Sequence, residues 1–127
     1  MPKWSDCVKM IEDKGAPHLQ LYVSVSSPLV PFEQLLSASQ DHIDYQKKLE
    51  KEGKLAFSGP LSDEAGDELA DGMTIYRAGS LEEARGYAEG DPMHALGLRK
   101  FVLRKWLVCE ASLKVAVTLE GQKVTLS

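Results

Sequence analysis

A histidine and an aspartate are the two residues of the chain best suited to move a proton. His42 lies in a helical pattern, one heptad after Leu35 and one before Leu49, so it falls on or beside an apolar helix face. Asp91 precedes Pro92, where a helix is expected to end. Imidazole titrates near neutral pH, and a neighbouring carboxylate would fix its tautomer and stabilise its cation. We therefore predict that folding brings His42 and Asp91 together as an acid–base pair.

Both residues also have ordinary structural explanations. A histidine at the edge of an apolar helix face is often partly buried and hydrogen-bonded to the backbone. An aspartate before a proline commonly starts a turn, with its carboxylate capping nearby amides. The catalytic interpretation requires the Asp91 carboxylate to lie within hydrogen-bond distance of His42 or of a bound substrate.

Further polar residues could line a pocket and hold a small oxygenated ligand. His94 follows Asp91 by one helical turn. The other candidate ligand-binding residues carry hydroxyl groups: Tyr22, Ser24, Tyr45, Ser58 and Tyr76. In the alternative interpretation, Tyr22 and Tyr76 pack at a subunit interface with their hydroxyls at its rim.

The chain lacks the patterns typical of metal, nucleotide and covalent chemistry. No two histidines have ligand spacing, no Gly-x-Ser-x-Gly motif is present, and the acidic stretch 63–72 has no phosphate-binding pattern. Cys7 and Cys109 form no metal-type pair, and we expect each to be a small buried apolar residue. We therefore expect neither a metal nor a cofactor.

Composition predicts one domain spanning residues 1–127. The chain has 43% hydrophobic residues, a formal net charge of −4 and a pI near 5.4. This acidic balance argues against nucleic acid as a partner, and no apolar run has membrane-spanning length. The N-terminus has no signal-peptide pattern, so a cytoplasmic location is expected.

Periodicity predicts a β-α-β-β-α-β order. The expected elements are a helix over 4–13, strands over 18–26, 54–58, 72–78 and 98–109, helices over 32–52 and 80–90, and a hairpin over 112–126. Gly59-Pro60 is expected to turn the chain after the second strand, and Ser80 with Glu83 forms a predicted capping box. Gly90 is expected to end its helix in a left-handed conformation, after which Pro92 prevents the helix from restarting.

This order predicts an α+β, ferredoxin-like fold, in which two helices cover one face of a four-stranded antiparallel sheet. The other face would carry Val102, Trp106 and Val108 as an apolar patch, and a second copy of the chain is its expected cover. Residues 1–17 and 110–127 are expected to form an N-terminal helical extension and a C-terminal hairpin. Several segments between Leu19 and Trp106 match a known family in order and spacing. They are residues 42–55 (HIDYQKKLEKEGKL), 58–61 (SGPL), 80–85 (SLEEAR), 90–98 (GDPMHALGL) and 102–106 (VLRKW). On these segments the chain resembles the YciI-like, or YCII-related, protein family.

The resemblance implies a dimeric α+β barrel and a catalytic histidine–aspartate pair, which maps onto His42 and Asp91. Related barrel families include isomerases and dehydrochlorinases that need no cofactor, and small monooxygenases. We therefore expect a cofactor-free enzyme of the isomerase or dehydrochlorinase/lyase type, acting on a small organic molecule. The alternative is a homodimeric module that binds a small ligand, or another protein, without turnover.

Overall fold

The computed structural model describes residues 1–127, which fall into two units. One unit is Gln20–Trp106 and the other combines Met1–Leu19 with Leu107–Ser127. The elements in chain order are α1 (Trp4–Asp13), β1 (Leu19–Pro28), α2 (Phe32–Leu36), α3 (Ser39–Lys51), β2 (Leu55–Ser62), β3 (Leu69–Tyr76), α4 (Leu81–Gly90), α5 (Pro92–Ala95), β4 (Arg99–Val108), β5 (Val115–Thr118) and β6 (Lys123–Leu126).

The main sheet has the strand order β2-β3-β1-β4. Strand β3 pairs antiparallel with β1, with Tyr22 opposite Tyr76, and antiparallel with β2, with Ser58 opposite Thr74. This order, with helices between β1 and β2 and between β3 and β4, confirms the predicted ferredoxin-like α+β arrangement.

The helices pack on the face of the sheet that carries the tyrosines. Tyr22 and Tyr76 are buried with Leu49 of α3 and with Ala84 and Ala88 of α4. Because the two alanines have small side chains, they leave room for the aromatic rings between the helix and the sheet. The side of β1 that the sequence suggested to be polar is therefore a core face.

The single helix predicted over residues 32–52 is two helices in the structure. Ala38 separates them, with a φ of −109° and a ψ of 3°. Serines on either side of Ala38 hydrogen-bond backbone carbonyls of the preceding turn: Ser37 Oγ donates to Gln34 O, and Ser39 Oγ donates to Leu36 O. The break lets Ala38 and Leu35 pack against Met93 of α5 in a second cluster.

The predicted turn at Gly59-Pro60 is wrong, because β2 continues to Ser62. Pro60 is tolerated because β2 is an edge strand, and the pairing with β3 shifts register between Pro60 and Ser62. The chain turns later, where Asp63 Oδ1 accepts a hydrogen bond of 2.9 Å from the Asp67 amide.

Helix α4 begins with part of the predicted capping box. Ser80 Oγ accepts a hydrogen bond of 3.1 Å from the Glu83 amide, as predicted. The Glu83 carboxylate, however, accepts from the Gly79 amide at 3.1 Å and not from that of Ser80. The reciprocal bond is therefore displaced by one residue.

Gly90 does not adopt the predicted left-handed conformation and is the last residue of α4. Glycine is required here for a different reason, because a Cβ on Gly90 would lie 2.6 Å from the Tyr45 hydroxyl oxygen. That hydroxyl donates a hydrogen bond of 2.6 Å to the Tyr87 carbonyl, so it is held in place. The left-handed glycine in this region is Gly97, with a φ of 71°, which follows the C-cap Leu96 of α5.

Gly90→Ala is expected to lower the free energy of unfolding by about 2 kcal/mol, because the new methyl group displaces the Tyr45 hydroxyl from its hydrogen bond. The matched control is Gly86→Ala in the same helix, where a Cβ meets no atom within 4 Å. This control should stabilise the protein by about 0.5–1 kcal/mol. Urea unfolding measures both, and combining Gly90→Ala with Tyr45→Phe should recover part of the loss. Equal effects of the two alanine substitutions would contradict the proposed clash.

The second unit contains the predicted N-terminal helix and C-terminal hairpin. Helix α1 has the predicted bounds, and β5 pairs antiparallel with β6, with Val115 opposite Leu126. Cys109 is exposed and Cys7 is half-buried, so the expectation that both are buried is wrong. Both cysteines lie in the terminal segments, outside the two buried apolar clusters. The assignment of residues 1–127 to one domain with two extensions stays a prediction.

None of the helices combines the length and the apolar composition that crossing a membrane would require.

Candidate active site

The structure brings His42 and Asp91 into direct contact. His42 lies in the first turn of α3, and Asp91 lies in the junction between α4 and α5. The His42 Nδ1 atom is 2.9 Å from Asp91 Oδ1 and 2.7 Å from Asp91 Oδ2. Two residues that are far apart in the chain therefore form one ion-pairing and hydrogen-bonding unit.

Asp91 is a helix cap as well as the partner of His42. Its Oδ1 atom accepts a hydrogen bond of 2.9 Å from the Met93 amide, which caps the N-terminus of α5. The prediction that Pro92 prevents the helix from restarting is therefore wrong. Pro92 occupies the first turn of the next helix, α5. Proline suits this position because it has a fixed φ and lacks the amide hydrogen that would have no partner there. The capping interpretation and the pairing interpretation of Asp91 are both correct.

The Asp91 carboxylate is buried, with 2% of its side chain exposed, yet it stays ionised. Burial is the largest influence and raises its pKa. Three neighbours act in the opposite direction and together outweigh burial: His42, through its hydrogen bond and its positive charge, and the amides of Met93 and Gln46. The pKa of Asp91 therefore lies below its ordinary value. Gln46 Nε2 donates to Asp91 Oδ2 at 3.2 Å.

These contacts fix the tautomer of the His42 imidazole. An ionised carboxylate can only accept hydrogen bonds, so Nδ1 of His42 must carry the hydrogen that points at Asp91. In the neutral ring, Nε2 then has a free lone pair, and it is the nitrogen available to a ligand. The His42 side chain is 34% exposed and lines a cavity, so a ligand can reach the ring.

His42 and Asp91 line a cavity of about 320 Å³ between the helix-covered face of the sheet and helices α2, α3 and α5. The polar lining also includes Ser26, Ser58, Asp71, Thr74, His94 and Arg99. The apolar lining includes Pro28, Val30, Phe32, Leu35, Pro60, Leu69, Met73 and Met93. An apolar cavity with a few convergent polar groups is typical of a site for a small organic molecule.

His94 lines the cavity, but both of its ring nitrogens are occupied by the protein. Nδ1 is 2.6 Å from the Ala88 carbonyl, which can only accept, so this nitrogen carries a hydrogen. Nε2 is 2.7 Å from Ser26 Oγ, and the ring packs on Phe101 with centroids 4.7 Å apart. His94 therefore supports the cavity wall and positions Ser26.

Of the other predicted ligand-binding residues, Ser58 lines the cavity, where its hydroxyl lies 3.0 Å from that of Thr74. The remaining four, Tyr22, Ser24, Tyr45 and Tyr76, do not belong to its lining. Tyr22, Ser24 and Tyr76 are buried on the core face of the sheet, and burial raises the pKa of Tyr76 above its ordinary value. We leave these four residues out of the proposed site.

Several residues of the site were missed from the sequence, among them Gln46, Ser26 and Arg99. Gln46 follows His42 by one helical turn, so it shares that helix face, and this spacing could have identified it. Arg99 shares a face of β4 with Phe101, which is partly buried against the core cluster, and this two-residue spacing could have indicated that Arg99 points to the inner side of the sheet. No three His, Cys, Asp or Glu side chains of the protein lie close enough together to hold a metal ion.

Comparisons with known proteins agree with the fold. The model of the YCII-related domain matches residues 18–106. The uncharacterized protein YjpA of Bacillus subtilis (strain 168) is 32% identical over 65 residues, covering 51% of this chain and 71% of that protein.

Among solved structures, the chain is similar to 5-chloro-2-hydroxyhydroquinone dehydrochlorinase (TftG) from Burkholderia phenoliruptrix AC1100, in complex with 2,5-dihydroxybenzoquinone. The TM-score is 0.56 at 20% identity, and the match covers 68% of this chain and 92% of that chain. This likeness shows a fold of the dimeric α+β barrel type. From the matched residues 18–106, the chain belongs to the family of proteins with a YCII-related domain.

Proposed function

We propose that the protein is a small-molecule enzyme that transfers a proton without a cofactor. The observation that carries this proposal is the contact of His42 Nδ1 with both oxygens of a buried, ionised Asp91 at the wall of a cavity. His42 Nε2 is the general base, and Asp91 is a positioning residue that holds the tautomer and stabilises the imidazolium formed when Nε2 takes a proton.

The expected reactions begin when His42 Nε2 takes a proton, either from a carbon atom next to a carbonyl group or from a hydroxyl group of a hydroxylated ring. In elimination of HCl from a chlorinated, hydroxylated ring, a hydroxyl proton is first transferred to the ring carbon that bears chlorine, which gives a keto tautomer. His42 Nε2 then removes the proton of a second hydroxyl group, the electron pair of that O–H bond forms a new C=O bond, the ring double bond shifts, and chloride leaves with the electrons of the C–Cl bond. In an isomerisation, the imidazolium returns the proton to another carbon atom. Neither reaction changes the oxidation state of the protein, and neither needs a second catalytic base.

The structural neighbour guides the choice of the first substrate. It is a dehydrochlorinase by name and was solved with a hydroxylated quinone, a molecule small enough for a cavity of about 320 Å³. We therefore propose a small hydroxylated ring compound as the substrate and elimination of HCl as the first reaction to test.

The test is release of chloride from 5-chloro-2-hydroxyhydroquinone, followed by a panel of small enols and phenols assayed for hydrogen exchange in D₂O. Wild type is expected to turn over at least one compound, and His42→Gln is expected to lose that turnover. If ligands bind and none is turned over, or if turnover is unchanged in His42→Gln, the enzyme proposal is wrong. Binding without turnover would favour the alternative of a ligand-binding module.

We further propose that the active form is a homodimer assembled through a sheet face. Val102 and Trp106 of β4 are 55% and 42% exposed and lie on the face opposite Phe101 and Leu103. Large exposed apolar side chains on one strand face are typical of a surface that another protein covers.

Trp106→Glu is expected to weaken dimerisation by about 100-fold or more, because tryptophan anchors are among the largest contributors to interface energy. Light scattering coupled to size-exclusion chromatography measures the mass across a dilution series. Lys105→Glu, at the neighbouring position of the same strand, is the control for added negative charge. A monomeric wild type, or a Trp106→Glu protein with the wild-type mass profile, would contradict the proposed interface.

A further inference from the structure

Arg99 is the cationic side chain of the cavity, and one residue holds it in place. Its Nε atom donates a hydrogen bond of 2.9 Å to Ser26 Oγ, and its Nη2 atom donates one of 2.7 Å to the Ser26 carbonyl. His94 Nε2 in turn accepts from the Ser26 hydroxyl. Strands β1 and β4 and helix α5 therefore fix the guanidinium from one side.

The hydrogen bonds to Ser26 leave a defined set of donors free. A guanidinium has two forks of parallel N–H groups, one formed by Nε with Nη2 and one formed by Nη1 with Nη2. The two oxygens of Ser26 occupy the first fork. No protein acceptor in the Gln20–Trp106 unit hydrogen-bonds the second fork, whose planar geometry matches the two oxygens of a carboxylate.

The charge of Arg99 also lacks a direct partner. No carboxylate of the Gln20–Trp106 unit forms an ion pair with it, although Asp71 lines the same cavity. Burial lowers the pKa of Arg99 below its ordinary value, and the charges of Asp71 and Asp91 oppose this shift. Arg99 stays cationic, because a guanidinium is not deprotonated in proteins. A partly desolvated cation attracts an anion more strongly than an exposed one does.

We propose that Arg99, positioned by Ser26, is an anion-binding subsite of the cavity, and that the ring compounds it favours as ligands carry a carboxylate, which occupies the Nη1–Nη2 fork. This inference deepens the proposed function, since the carboxylate would fix the ligand while His42 faces its reacting carbon. The subsite does not depend on catalysis, because binding of the carboxylate requires Arg99 and not His42.

The test measures binding of benzoate and benzamide, which have the same shape and differ in charge, by NMR titration of the ¹⁵N-labelled protein. Wild type and His42→Gln should bind benzoate at least tenfold more tightly than benzamide. Arg99→Gln should lose this preference, and Arg99→Lys should keep only part of it, because an ammonium group offers no planar fork. Lys47→Gln on α3 is the control, because it removes an equal charge from an exposed position that neither lines the cavity nor lies on the proposed dimer face.

Equal affinities of wild type for benzoate and benzamide, or no binding of benzoate, would overturn the proposal. So would benzoate binding to Arg99→Gln at wild-type strength. Arg99→Gln also removes the contacts to Ser26, so its ¹H–¹⁵N spectrum must show a folded protein. If Arg99→Gln does not fold, the preference of Arg99→Lys for benzoate over benzamide decides the test. Benzoate selectivity in a protein without turnover would sustain the subsite while rejecting the enzyme.

Discussion

Substitution of His42 by glutamine is expected to lower kcat for the proton-transfer reaction by about 10³-fold, within the range that loss of a general base produces. Glutamine keeps a hydrogen-bond donor for Asp91 but offers no group that can accept a proton near neutral pH. KM should change little, because His42 is not the residue that is proposed to hold the ligand. The measurement is steady-state kinetics on the substrate identified by chloride release or hydrogen exchange.

His18→Gln is the matched control for this experiment. It makes the same chemical change in a histidine that does not line the cavity, and its Nδ1 atom contacts only the Ala16 carbonyl. Activity should stay at the wild-type level. A His42→Gln enzyme within tenfold of wild type would mean that another group removes the proton.

Substitution of Asp91 by alanine is expected to lower the free energy of unfolding by about 3 kcal/mol at pH 7. The change removes the cap of α5, worth about 1 kcal/mol, and the charge-assisted hydrogen bonds from His42 and Gln46. Asp91→Asn should cost less, because asparagine is also a good helix cap. Asp44→Ala, an exposed carboxylate on α3, is the control and should change stability by less than about 0.5 kcal/mol.

The stability that Asp91 provides should also depend on pH. Its pKa is lower in the folded protein than in the unfolded chain, so the folded state favours the ionised form. This stability is complete above the unfolded pKa, near 4, and is lost as the pH falls through the lower folded value. The difference between wild type and Asp91→Asn should therefore shrink below about pH 4. A difference that is constant from pH 7 to pH 3 would show that the ionised carboxylate contributes nothing.

The sequence predicted the order of elements well and predicted their interruptions poorly. The order follows from apolar periodicity, which the strands of the sheet and the helices α3 and α4 retain. The break at Ala38 and the continuation of β2 through Pro60 depend on contacts distant in the chain: the packing of Ala38 on Met93, and the position of β2 at an edge. Local propensity does not contain this information.

The contact between His42 and Asp91 was predicted, while the rest of the site was predicted only in part. The two residues stood out because their types suit proton chemistry, and their contact could be checked directly in the structure. Tyr22 and Ser24 share one face of β1, as predicted, but this face packs against the helices and is not a polar pocket wall, so they are core residues. Arg99 was missed because an arginine in a strand is usually exposed; its spacing from Phe101 indicates only which face of β4 it shares, and its hydrogen bonds to Ser26 at the cavity wall depend on the fold.

The central claim is that Asp91 holds the His42 imidazole with its hydrogen on Nδ1 and a free lone pair on Nε2. Two-bond ¹H–¹⁵N NMR of the histidine rings tests this claim most directly, with His42→Gln used to assign the signals. In the neutral ring we expect a protonated, pyrrole-type Nδ1 and an unprotonated, pyridine-type Nε2, and Asp91→Ala should shift the tautomer equilibrium towards Nε2–H. A wild-type ring with its hydrogen on Nε2, unaffected by the loss of Asp91, would contradict the account.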